Sequence, residues 1–399
     1  MKKFKKGVVL LLTVAMMGSA FGCGTGSSGT SAGGAASGTS AAGTTSAATG
    51  SAAGSNSKSP VAGKKVAYIL NLATSDIFQL CANQCVKTAK DLGMTCDVYF
   101  SNGDDSKWQD YISTCASAGY SGLFVSHGGQ NYSYSFLSDI VKKYPNLKIV
   151  TFDTQFKDAN GNTRTINGVT QFFQSDADYS RNLLKYVVEK VVPNKKPVNI
   201  LKVWVGPNYI SPFDRREVGY EEYEKKGLIH TVQTIGPTDL NNAESSMYDV
   251  MTATLAKYKP GQIDAVWVTY DAYARGCFKA LMESGKNIPM VSVDICNTDI
   301  QDMLEKNSVW KAAACCDFSS IGEEGIRLVA LEMNNEYNKI VDLKTKQPTA
   351  WIEMPASLIE QSNLKPDTTL ATLKAVADSN YGNPANLATS DWIKASVGY

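Results

Sequence analysis

Short apolar runs alternate along this chain with segments of helical periodicity, and most runs stop abruptly at a polar residue. Lys65–Leu70, Thr95–Phe100, Gly122–Ser126 and 147–152 read as strands buried on both faces, the signature of a parallel sheet. Between them, 76–92, 105–118 and 133–144 carry apolar residues on one helical face, as Phe78, Ala82, Val86 and Ala89 do in the first. Residues 157–170 interrupt the rhythm, with a turn at 158–161. The pattern then restarts, with strands predicted at 198–205, 231–235, 263–269, 289–293 and 310–315 and helices at 179–192, 214–226, 243–257, 272–284, 300–305 and 322–334. A last strand is predicted at 350–354. Two such series predict an α/β fold of two Rossmann-like lobes, each a parallel sheet flanked by helices with right-handed crossovers. No internal sequence repeat accompanies them, so the likeness of the lobes is one of architecture.

The N-terminus follows a different logic. Met1–Lys6 holds four lysines, 8–17 is apolar, and Gly18, Ser19 and Ala20 are small, which reads as a signal peptide too short to span a membrane ordinarily. It ends Ala20-Phe21-Gly22-Cys23, similar to a bacterial lipoprotein box with Cys23 as the lipidated residue; the alternative is plain secretion. From Gly24 to Pro60 nearly every residue is Gly, Ser, Ala or Thr, a composition that buries no core and forms a flexible tether. Such a tether spans roughly 30–36 Å. Losing the leader would take the net charge from +1 to about −3. With no basic clustering, nothing points to nucleic acid.

Eight further cysteines, Cys81, Cys85, Cys96, Cys115, Cys277, Cys296, Cys315 and Cys316, form no recognised framework. Buried free thiols or one or two disulfides are both open, whereas metal-ligand spacing is absent and only His127 and His230 add imidazoles. No phosphate-binding Gly-x-x-x-x-Gly-Lys loop occurs, so no nucleotide cofactor is expected.

Ligands of open parallel sheets gather at the carboxyl ends of the strands. Just past the predicted strands stand Asn71 to Ser75, Ser126 and His127, Asp153 and Thr154, Tyr270 and Asp271, and Asp294, while Arg216 opens a helix after the strand ending near Val205. Asp153 taken alone reads first as a strand terminator. Together these residues offer three carboxylates and an arginine, with Phe78, Tyr209, Phe213 and Tyr270 nearby. Carboxylates and a guanidinium satisfy hydroxyl groups while aromatic faces cover the apolar side of a sugar ring, so the set suits a neutral polyhydroxylated ligand. Asp176 reads as a helix cap, His127 as a solvated loop residue, and Trp108 as core or cleft rim. Trp204, Trp267, Trp310 and Trp351 read as core.

Several local patterns, in order, make residues 64–360 resemble the periplasmic binding protein type I family, in its ribose- and galactose-binding branch. Val66 to Phe78 is similar to the first strand and its loop; Ser75-Asp76-Ile77-Phe78 keeps one aromatic of the family's Asn-Pro-Phe-Phe. Ile149 to Asp153 resembles the Val-Val-Thr-Phe-Asp signature, and Ser175-Asp176 the opening of the second lobe. Arg216 to Tyr220 resembles an Arg-x-x-Gly-aromatic pattern, whose spacing to Gly219 favours Arg216 over Arg215 as the inward arginine. Val266 to Asp271 and Val291 to Asp294 resemble two later strands ending in ligand-binding residues, with Tyr270 in place of asparagine. Cys316 stands where sugar-binding relatives have glutamine.

The resemblance implies ligand contacts at Asp153, Arg216, Asp271, Asp294, Ser75, Phe78, Ser126, Tyr270, Cys316 and Asn71, with no catalysis. It implies lobes at 63–173 with 317–345 and at 174–316 with 346–362, joined by a three-segment hinge near Phe173, Cys316 and 338–350. The leader occupies 1–23, the tether 24–62 and a C-terminal extension 363–399, expected to pack along one lobe. The expected protein is a monomeric, lipid-anchored extracytoplasmic substrate-binding protein. It would close on a sugar by hinge motion and deliver it to an ABC permease with its ATPase. A sugar sensor or chemoreceptor component is the alternative, and a surface glycosidase using two of the aspartates a remote one.

Overall fold

The computed structural model describes residues 59–398 except 73, 74 and 159; the expected leader, Cys23 and all but the end of the tether lie outside the described residues. Strands β1 (Lys65–Leu70), β2 (Thr95–Phe100), β3 (Gly122–Ser126), β4 (Lys148–Phe152) and β5 (Val169–Gln174) alternate with helices α1 (Asp76–Asp91), α2 (Asp105–Ser117) and α3 (Ser133–Lys143). After α4 (Asp176–Tyr186), the second series runs β6 (Val198–Val203), α5 (Ser211–Lys225), β7 (Ile229–Ile235), α6 (Ala243–Leu255), β8 (Ala265–Val268), α7 (Asp271–Ser284), β9 (Met290–Val293), α8 (Asn297–Leu304) and β10 (Trp310–Cys315). Then come α9 (Phe318–Met333), β11 (Trp351–Met354), β12 (Ser357–Glu360) and a short α10 (Asp391–Val397). No described helix is long and apolar enough to cross a membrane.

The strands form two six-stranded sheets of the same winding, β11-β5-β4-β3-β1-β2 and β12-β10-β9-β8-β6-β7. Every pairing is parallel except that of β10 with β12. Apolar runs such as 66–70 and 123–125 are buried because helices cover both faces of each sheet. Helix α9 packs on α1 through Gly322, where a Cβ would meet the Cys81 carbonyl oxygen at 2.3 Å. Trp108 is fully buried and so belongs to the core, as do Trp267 and Trp310, whereas Trp204 and Trp351 are only half-buried.

The chain passes between the sheets three times, from β5 into α4, from β10 into α9, and from β11 into β12 through Pro355-Ala356. The crossings touch: Ser175 N donates to Met354 O at 3.0 Å, and the Cys316 sulfur lies 3.4 Å from Pro355 O. This corrects the expected third crossing at 338–350 and the assignment of 346–362 wholly to the second lobe. Trp351–Met354 adds a parallel strand to the first sheet beside β5, and only then does the chain cross. Two strands also went unread, β5 and β12. The first is a run whose glutamines break the apolar pattern, and the second is four residues long.

The C-terminal extension runs along both lobes rather than one. Leu370, Leu373 and Tyr381 are buried in the core of the second, while Leu387 and Ile393 are buried against the first. Between these stretches Asn380 Nδ2 donates to Ala356 O in the third crossing at 2.9 Å. Ala388 then brackets α9, its N–H donating to Glu324 at 2.7 Å and its carbonyl accepting from Arg327 at 3.2 Å.

Candidate functional site

The carboxyl edges of the two sheets face one cleft, and the first residue past three of the strands has left-handed backbone. His127 after β3 has φ 59°, Asp153 after β4 has φ 46° and Asp294 after β9 has φ 66°. In each case the N–H continues the ladder, to Phe152 O at 2.9 Å, Phe172 O at 3.0 Å and Ala314 O at 2.8 Å. The chain then turns sharply. Non-glycine residues held this way cost on the order of 1–3 kcal/mol each and cluster where side chains must be aimed at a ligand.

From the second lobe, α4 and α5 present a linked chain of charges. Gly219 makes this possible: a Cβ there would meet the Ala177 carbonyl oxygen at 2.1 Å, so only glycine lets α5 approach the start of α4. That approach brings Arg216 Nε to Asp176 Oδ1 at 2.8 Å. Arg216 also donates to the Thr269 carbonyl at 2.5 Å and reaches Asp294 Oδ2 at 3.2 Å. Its neighbour Arg215 spans the lobes, with Nη2 donating to Asp176 Oδ2 at 2.5 Å and to Asp153 Oδ1 at 2.6 Å. Gln174 Nε2 holds the other oxygen of Asp153 at 2.7 Å, and the Tyr179 hydroxyl donates to Gln174 Oε1 at 2.7 Å while standing 2.8 Å from the Cys316 sulfur. The inter-lobe crossings and the cleft therefore share one hydrogen-bond network.

Burial dominates the electrostatics. It raises the Asp294 carboxyl to about 7 against the pull of Arg216, and raises Asp176 against both arginines. Burial also lowers Arg216, but Asp294 and Asp176 outweigh it and leave the guanidinium above its ordinary value. Burial, then Arg215, pushes the His127 imidazole down to about 3, so it is neutral. Within this network Asp294 Oδ1, Thr269 Oγ1 and Arg215 Nε are buried without a hydrogen-bond partner. An acceptor, a hydroxyl and a donor of this network thus have hydrogen-bonding capacity that the described residues do not use.

The predicted residues divide into three groups. Asp153, Arg216 and Asp294 join this network, and Phe78 lies beside it, its ring 5.5 Å from that of His127. Ser126 and Asn71 brace the frame: the Ser126 hydroxyl is 2.6 Å from His127 Nδ1, and Asn71 Nδ2 donates to Asp105 at 2.7 Å. Cys316 sits at the hinge behind Tyr179, Tyr270 packs 6.0 Å from the Phe213 ring, and Ser75 is exposed at the start of α1. Asp271 turns to Arg275, 3.4 Å away, and not to the arginine pair.

Four participants went unpredicted or misread. The sequence reads Asp176 as a cap, yet Ser175 is the N-cap and the Asp176 side chain is fully buried between two arginines. The sequence reads His127 as solvated, yet its side chain is 10% exposed, edge-on to Phe78 and Phe152. The sequence favours Arg216 over Arg215, but both of these consecutive helical residues flank one carboxylate, Asp176. Gln174 gave no signal, because the strand that carries it was not read.

All eight described cysteines are free thiols. Among the described residues, one group has metal-ligand proximity: Asp271, Cys296 and Asp299. The Arg275 guanidinium already reaches all three, 3.4 Å from Asp271, 3.0 Å from Asp299 and 3.5 Å from the Cys296 sulfur. The cleft itself has a volume of about 540 Å³, walled by Asn71, His127 and Asp153 on one side and by Asn208 to Pro212 on the other.

The model of the periplasmic binding protein domain matches residues 66–336. A search of curated proteins finds no match. Among solved structures, a sugar ABC transporter protein from Yersinia enterocolitica is 29% identical with a TM-score of 0.67, over 84% of this chain and 94% of that one. The 5-methylthioribose transporter solute binding protein of Thermotoga lettingae, in complex with 5-methylthioribose, is 22% identical at a TM-score of 0.66, over 83% and 96%. A periplasmic ribose ABC transporter protein from Conexibacter woesei is 15% identical at 0.64, over 82% and 99%. The last two share the fold.

Proposed function

Because the chain belongs to the periplasmic binding protein domain family, we propose that it captures a small sugar between its lobes and delivers it to an ABC importer. The observation that carries this reading is Arg215, bonded at once to Asp153 of the first lobe and Asp176 of the second. A ligand hydroxyl that enters this bridge engages both lobes, so binding and closure are one event. The three unpartnered atoms at Asp294, Thr269 and Arg215 supply hydrogen bonds of both polarities, as hydroxyl groups require. The 29% identical Yersinia relative, described as a sugar ABC transporter, supports the same class. ATP hydrolysis then belongs to the partner ATPase, since this chain has no phosphate-binding loop.

Calorimetry against monosaccharides and related polyols tests the reading. Saturable one-to-one binding of a sugar is expected; failure of every sugar while nucleosides or peptides bind would overturn it. We also propose that Cys23 anchors the protein in the membrane, on the strength of Gly22-Cys23 and the tether after it. Cys23→Ala should move the protein from the membrane to the soluble fraction, and retention would refute the anchor.

A further inference from the structure

The cleft does not end at the arginine bridge. A second hollow of about 610 Å³ adjoins it, and the two share Gln130, Asn131 and Asn208 as a common wall. Tyr134, Ser135 and Gly161 belong to the outer hollow alone. Both lobes form it, because Asn208 comes from the loop before α5 and the rest from the first lobe. Asp214 fixes that meeting: its carboxylate accepts the Asn208 N–H at 2.8 Å and pairs with Lys157 across the lobes at 3.6 Å.

The chemistry of the outer hollow differs from that of the inner one. Its charges are spent, Lys157 on Asp214 and Asp158 on Arg164 at 2.8 Å and on the backbone of its own turn. What remains is amide, hydroxyl and one aromatic ring, and Gln130 Nε2 on the shared wall is buried without a partner. Small-molecule sites measure roughly 300–1,000 Å³, and each hollow falls within that range by itself. One sugar ring does not fill the two.

We infer that the ligand carries a second polar unit beyond the ring held at the arginine bridge: a disaccharide or an equivalent glycoside, with its outer unit between Tyr134 and Asn208. This rests on the sugar reading above. Amides and hydroxyls exchange hydrogen bonds with a second sugar, and Tyr134 offers an apolar face to it. The outer hollow needs both lobes in contact, so a two-unit ligand gains affinity only in the closed form.

The test compares matched probes by calorimetry: glucose with maltose, galactose with lactose, and xylose with xylobiose. At least one disaccharide should bind ten-fold or more tighter than its monosaccharide. Tyr134→Ala should collapse that gap. Ser135→Trp, an exposed position that leaves the Tyr134 packing intact, should collapse it by filling the hollow. Equal affinities, or a gap that neither variant changes, overturn the inference. Monosaccharide binding with exclusion of every disaccharide overturns it while leaving the sugar reading standing, and failure of all sugars removes both.

Discussion

The two lobes are wound alike but face the cleft differently. Strand order is the same in both sheets apart from the sixth strand, which is parallel in one and antiparallel in the other. Yet the second lobe brings both arginines with Asp176 and Asp294, whereas the first brings Asp153, a neutral imidazole and the amides and glycines of 128–131. A common scaffold thus presents a charged jaw and a largely neutral one. Among the described residues, Arg215 joins them through an ion pair at the centre and Lys157–Asp214 does so at the rim. The charged jaw is cross-linked by its own ion pairs, Arg216 with Asp176 and Asp294 and Arg215 with Asp176, whereas the neutral jaw has only the Asp153 carboxylate to set against them.

Replacing the two arginines in turn separates rigidity from capture. Arg216→Ala leaves Asp176 and Asp294 facing each other in a buried site, and breaking such a network costs about 3–5 kcal/mol. Its unfolding midpoint in denaturant should fall sharply, and ligand affinity with it. Arg215 is somewhat more exposed, and without it Asp176 keeps Arg216 and Asp153 keeps Gln174, so Arg215→Ala should cost less stability than Arg216→Ala while weakening ligand binding roughly tenfold or more. Denaturant curves and calorimetry on both variants check this; equal losses of stability would erase the distinction between jaws.

A smaller effect probes the first lobe away from the cleft. Glu332 on α9 is fully buried, neither carboxylate oxygen has a hydrogen bond of good geometry, and burial raises its pKa to about 8. An unfolded glutamate ionises near its ordinary value of 4.5, so the folded state holds the extra proton and stability falls as pH rises from about 4.5 to about 8. Glu332→Gln mimics the protonated form. It should melt with wild type at pH 5 and a few degrees above it at pH 8, by thermal-shift measurement; a variant less stable at pH 8 would contradict the assignment.

Much of the fold was legible because parallel strands buried on both faces cannot hide. The run 147–152 announced β4, and Asp153 at its end announced the cleft. Glycine spacing was legible too: the interval from Arg216 to Gly219 marks where α5 must approach α4. The strand at 169–174 was not legible, because Gln171 and Gln174 spend their polarity inside the lobe, one on the Phe156 backbone and one on Asp153. Nor was Asp176 distinguishable from a cap, since capping and ion pairing place the same residue at the same helix start.

The sequence by itself determined the repeated strand–helix winding, the two-lobe class and the carboxylates at the strand ends, because these follow from periodicity and from where apolar runs stop. Only the tertiary structure decided which of those groups meet. Trp351–Met354 went to the first sheet because pairing beside β5 was available, which moved the last crossing to Pro355-Ala356. Arg215 became the bridge because α4 and α5 pack closely enough to aim two consecutive residues at one buried carboxylate. Pairing partners and side-chain direction depend on contacts between residues far apart in the chain, and no local pattern encodes them.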